Sequence, residues 1–126
     1  MSEVKNKNTY TILEDHTVGT VQIADEVVAI IAGLAATEVE GVASMVGNIT
    51  NELVSRLGMK NLSKGVRIDV QDQVVTVGLA LNIKYGYNIP ETSKAVQEKV
   101  KTAIETMTGL EVADVNVSIA DVILEK

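Results

Sequence analysis

The 126 residues contain no cysteine, no tryptophan and no phenylalanine. Without cysteine there are no disulfides, no thiolate-held zinc and no cysteine nucleophile. A reducing compartment suits such a chain but is not required by it. Three tyrosines are the whole aromatic inventory, so the core must be built from Val, Ile, Leu and Ala. Each Val or Leu that is buried contributes roughly 1.5–3 kcal/mol. Histidine occurs once, at His16, beside Glu14 and Asp15. One histidine and two adjacent acids in a polar tail lack the support that fixes a metal or acid–base site, so His16 reads as a solvated residue. No Ser-His-Asp arrangement is credible with it there. The nine glycines are never two or three apart, and no G-K-[ST] follows any of them. Dinucleotide and phosphate loops and the G-x-x-G clamp of single-stranded RNA binders are thereby excluded. Long apolar runs are missing too. Val27 to Ala36 is too short to span a bilayer, and the N-terminus has no apolar signal region, so direct membrane insertion is not expected. Cations are in deficit, 11 against 17 acids, and a net charge of −6 repels nucleic acid.

What is present is an ordinary apolar fraction of 46% in a chain of single-domain length. Residues 1–16 are polar and aperiodic and read as a mobile tail, leaving 17–126 as one domain. Thr20–Ile23 reads as a short strand. Val27, Val28, Ile30, Ile31, Leu34 and Ala35 follow at helical spacing, behind Asp25 and Glu26 at the positive helix end. Val42–Val46 suits a short strand. Asn48 then caps a short helix carrying Ile49, Leu53 and Leu57 and ending at Gly58. Val66, Ile68 and Val70 alternate with polar residues, Gln71-Asp72-Gln73 turns the chain, and Val75, Val77, Leu79, Leu81, Ile83 and Tyr85 repeat with strict period two. Pro90 opens a helix with a stripe of Val96, Val100, Ala103, Ile104 and Met107 and an opposite face of Lys94, Glu98, Lys101 and Glu105, and Gly109 closes it. Val115, Val117 and Ile119 make a last strand whose phase slips near Ala120, as at a bulge. The fold expected is an α+β two-layer sandwich: a mainly antiparallel, mixed sheet with two main helices on one face and a short third helix.

Two regions are candidates for contact with a partner. Arg56, Lys60, Lys64 and Arg67 form a cationic run without an intervening acid, which suits an acidic partner or an anionic surface and equally suits a solvated loop. The second face of the long strand, Thr76, Gly78, Ala80 and Asn82, is nearly flat, and small residues allow another backbone or sheet to approach. It is the candidate self-association face. In N-I-K-Y-G-Y-N-I-P-E, Tyr85 continues the phase of the core and is expected to close it. Gly86 frees the turn, and Tyr87 is left as a candidate contact residue.

The segments V-Q-I-A-D-E-V-V-A-I-I-A-G-L-A, E-V-E-G-V-A-S-M, N-I-K-Y-G-Y-N-I-P-E and A-V-Q-E-K-V-K-T-A-I-E-T-M-T-G-L-E-V-A-D-V-N-V-S-I occur in an order that resembles the alkaline shock protein family of Gram-positive bacteria, the Asp/Gls envelope stress proteins. The resemblance covers about residues 18 to 124. It implies a small, non-catalytic, cytoplasmic protein linked to cell-envelope stress, without a cofactor, acting through protein–protein contacts. A transmembrane partner holding it at the inner face of the membrane and a homo-oligomer are both within what it implies. Two other readings stay open on the residues alone: an RNA-binding α+β module, against which the acidic balance and the lack of sheet aromatics weigh, and a small-ligand carrier lined by Tyr85 and Tyr87.

Overall fold

A computed structural model describes residues 9–15, 18–46 and 64–124. The long period-two segment is the centre of the molecule. It forms a strand at Val74–Lys84, and Val75, Val77, Leu79, Leu81 and Ile83 are all buried on its one face. In chain order the strands are β1 (Thr9–Asp15), β2 (Gly19–Ala24), β3 (Val42–Met45), β4 (Val66–Gln71), β5 (Val74–Lys84) and β6 (Glu111–Ile123). The helices are α1 (Asp25–Thr37) and α2 (Ile89–Thr108).

β4 and β5 are joined by a two-residue turn in which Asp72 and Gln73 both have positive φ, 52° and 65°. That is the turn geometry whose twist matches a hairpin. β4 pairs with the first half of one edge of β5, and β3 with the second half, both antiparallel. β6 runs parallel along the other edge. The return from β5 to β6 is α2, as a parallel pair requires. Its start and stop follow local chemistry. The Asn88 side chain accepts from the Glu91 N–H at 2.9 Å, Pro90 lies in the first turn, and Gly109 takes φ 79° at the end. The sheet is mixed, both helices cover one face, and the class is α+β, as expected. A bulge opposite Leu81/Asn82 leaves Ala120 unpaired, where the phase slip falls, and a second near Ala113 carried no sequence signal.

The core lies between the inner sheet face and the helices: Val28, Ala32 and Ala36 of α1, Val96, Val100 and Ile104 of α2, and Met45 of β3 are fully buried with the β5 residues. Several expectations are corrected. Val27 is exposed and α1 instead buries Ala29, Ala32 and Ala36, because small side chains let it lie close to its neighbours. Met107 is exposed, and Thr108 takes the inward position, its hydroxyl donating to the Ile104 carbonyl at 2.7 Å and accepting from the Leu110 N–H at 3.1 Å. Thr9–Asp15, expected within a tail, form a strand paired antiparallel with β2. This hairpin is tied to the rest. Gln73 Nε2 donates to the Thr11 carbonyl at 3.1 Å, and burial, with Asp25 and Asp69 nearby, pushes the Tyr10 phenol above its usual pKa. The expected short helix after Asn48, with Arg56 and Lys60, lies outside the described residues, as does His16.

Candidate functional site

The outer face of the sheet is set by the register of β5. Thr76, Gly78 and Ala80 point away from the helices, since their neighbours point in. β4 places Asp69 beside Thr76 and Arg67 beside Gly78. On the other side β6 places Asp114, Asn116 and Ser118 beside Thr76, Gly78 and Ala80. The result is a shallow concavity of about 490 Å³ whose floor is small and polar. A Cβ added to Gly78 would meet nothing nearer than Arg67 Cβ at 3.7 Å, so there is room above the floor.

Lys64 and Arg67 both line this concavity. The cationic run and the flat face, separate in sequence, therefore meet at one place through the two described members of the run. Val46 and Gly65 complete the same rim. Asn82 does not share it. It is only 7% exposed, and its Nδ2 donates at 2.9 Å to Ser44 Oγ, its register partner on the neighbouring β3. Asn82 therefore leaves the expected exposed face for a buried structural pair.

The tyrosines exchange roles. Tyr85 is 70% exposed, since the strand ends at Lys84 and no layer lies over the next position. Tyr87 is 39% exposed, and its ring lies on Gly41 and near Thr92 while its hydroxyl donates to Glu40 Oε2 at 3.3 Å. Neither lines the concavity described above. A second, smaller hollow of about 180 Å³ is bordered by Asp25, Glu26, Ala29, Val66 and Ile68. Among the described residues no three His, Asp or Glu side chains come together as a metal set, and no helix is long and apolar enough to cross a membrane.

Lys101 and Glu105, which sequence reasoning set on the face opposite the buried stripe, and Gln97, which it did not assign, prove to bond the backbone of β6. On α2, Gln97 Nε2 donates to the Val115 carbonyl at 3.0 Å, Lys101 Nζ to the Val112 carbonyl at 3.4 Å, and Glu105 Oε2 accepts from the Val112 N–H at 3.0 Å. Lys101 and Glu105 also form the expected i,i+4 pair at 3.5 Å. The Val112 N–H donated to its carboxylate, helped by Lys101 and opposed by partial desolvation, holds Glu105 below the usual carboxylate pKa. The only sequence signal for this row is its spacing of four on one side of the buried stripe.

Comparison with known proteins places residues 14–124 under a family model described as the alkaline shock protein 23 family, cell envelope-related function. The chain is 38% identical over 109 residues to the uncharacterised protein YqhY of Bacillus subtilis (strain 168), covering 86% of this chain and 81% of that one. It is 28% identical over 123 residues to a stress response regulator gls24 homolog of Streptococcus pyogenes serotype M3, covering 97% of this chain and 69% of that one. Among solved structures, a MamM-CTD variant aligns with a TM-score of 0.48 at 14% identity over 82% of this chain and all of that one, a likeness too slight to bear on function.

Proposed function

The chain belongs to the alkaline shock protein 23 family, of cell envelope-related function, and from that membership we propose that it is a non-catalytic adaptor or scaffold of the envelope stress response that acts by protein–protein contact. The observation that carries the reading is the convergence of Lys64 and Arg67 on the small-residue face of Thr76, Gly78 and Ala80. Two cations against one acid, Asp69, on the rim of an otherwise acidic molecule suit an acidic group of a partner, and a floor of small side chains admits its backbone. Arg56 and Lys60 extend the cationic run on this reading. The same floor serves as the face for self-association. A membrane-anchored partner would hold the chain, as a cytoplasmic peripheral protein, at the inner face of the membrane.

The test is crosslinking in host cells followed by separation of membrane and soluble fractions, comparing the wild type with Lys64→Glu/Arg67→Glu. The wild type is expected to be recovered bound to a membrane-fraction protein and the double variant to lose that product. Equal recovery of both chains, or a wild type found solely as a free monomer in the soluble fraction, overturns the reading.

A further inference from the structure

We propose that the second half of the β6 edge, Val117 to Ile123, is a strand-addition site for an extended, cationic segment of a partner protein. This surface is distinct from the concavity of the sheet face, so its failure would leave the reading above intact.

β6 is a 13-residue strand bound to β5 on one side, and among the described residues no strand pairs its other side. The direction of its backbone groups follows from its hydrogen bonds. The Glu111 N–H donates to the Gln73 carbonyl, and the Ile123 carbonyl accepts from the Tyr85 N–H, so 111 and 123 face β5. Alternation, reset at the two bulges, turns Val112, Val115, Val117, Ile119 and Val122 outward. In a parallel ladder the N–H and C=O of one residue point to the same side.

The outward groups are dealt with unevenly. At Val112 both are bonded, by Glu105 and Lys101, and at Val115 the carbonyl is bonded by Gln97. The Val122 N–H donates to Asp121 Oδ1 at 2.8 Å. The capping row on α2 is spaced by four, and its next member toward the helix start is Ser93. Four helical residues advance about 6 Å and two strand residues about 6.6 Å, which brings Ser93 level with Val117. A serine is too short to repeat what Gln97 does, and Val117 and Ile119 receive no side-chain bond from the described residues. Unpaired edges of this kind recruit other strands unless they are blocked, and here the block stops halfway.

The open half also offers apolar anchors. Val122 is 42% exposed and Leu124 72%. Charge selects the occupant. β6 carries Glu111, Asp114 and Asp121 and no Lys or Arg, so a cationic strand complements this edge, whereas a second copy of β6 would bring only further acids to it. Asp114 and Asp121 register with Thr76 and Asn82, which places both on the outer sheet face. An added strand alternating cationic and apolar residues would put a cation near Asp121, with Asp114 just beyond the site, and its apolar side chains on the inner side, with Val117 and Ile119.

The experiment measures fluorescence anisotropy of a labelled synthetic peptide of alternating lysine and valine against the full chain. Saturable binding that weakens with salt is expected. Ser93→Gln extends the cap to the Val117 carbonyl without changing charge, and it should weaken binding about tenfold. Val117→Pro removes an outward N–H that the β5 ladder does not use, and it should do the same. Gln97→Ala frees the Val115 carbonyl and should tighten binding. No binding by the wild type, affinity unchanged in both Ser93→Gln and Val117→Pro, or equal binding of a glutamate–valine peptide overturns the proposal. A dimer in sedimentation that Ser93→Gln converts to monomer also overturns it, by making the occupant a second copy.

Discussion

A Cβ built on Gly41 would lie 2.7 Å from Cδ2 of Tyr87, so the tyrosine ring rests on a bare backbone at φ +100°. With the Tyr87 hydroxyl on Glu40, this contact joins the loop after α1 to the entry of α2. Tyr87→Ala is therefore expected to cost about 1–3 kcal/mol in urea denaturation, and Tyr85→Ala, at an exposed position, within about 0.5 kcal/mol of zero. Gly41→Ala meets both the ring and the positive φ, and should cost about 2 kcal/mol or more. If Tyr85→Ala proves as costly as Tyr87→Ala, the exchange of roles between the rings is wrong.

Asn82 and Ser44 form a buried side-chain pair 38 residues apart in sequence. Ser44→Ala leaves the amide of Asn82 unsatisfied, and Asn82→Ala leaves a hydroxyl and a cavity. Each should lose about 1–3 kcal/mol. The double variant should lose clearly less than the sum, since the second change removes a group already orphaned. Strict additivity in denaturation curves would show that the pair is not energetically coupled.

Glu105 has a folded pKa below its unfolded value, chiefly because the Val112 N–H is donated to its carboxylate. The sign follows directly. Its contribution is present above the unfolded carboxylate pKa of about 4.3 and is lost as pH falls through the lower folded value. Glu105→Gln should thus be less stable than the wild type at pH 7, and the gap should close toward pH 3. Urea melts across that range check this, and a gap that widens on acidification would contradict it.

Thr76 and Ala80 lie on the floor of the outer-face concavity. If copies of the chain meet through this face, Ala80→Lys and Thr76→Lys should each lower the mass seen in sedimentation while leaving the melting transition almost unmoved. An unchanged mass in both variants would remove the face from self-association.

Much of the architecture was legible because it is written in local periods. Val75 to Ile83 alternates without a break, and burial follows that alternation at every residue but Asn82. Asn88, Pro90 and Gly109 bound α2 by chemistry confined to one turn. The slip at Val122-Ile123-Leu124 marked the bulge at Ala120. The polar stretch Thr9–Asp15 gave no such mark, because its order comes from pairing with β2 and a hydrogen bond from Gln73, 62 residues away from Thr11.

The sequence by itself determined the two-layer class, the aliphatic core and which face of β5 is inward, since side-chain direction along a strand or helix depends only on the backbone repeat. Tertiary structure alone decided what lies over each outward position. Asn82 is buried beside Ser44 of β3 while Thr76 to Ala80 border an open concavity, Tyr85 is left exposed, and Gly41 receives Tyr87. It also made Lys101 and Glu105, expected only on the face opposite the buried stripe, and the unassigned Gln97 into caps on the β6 backbone, stopping one turn short at Ser93. These outcomes depend on which distant segments become neighbours, and a period of two or of 3.6 carries no information about that.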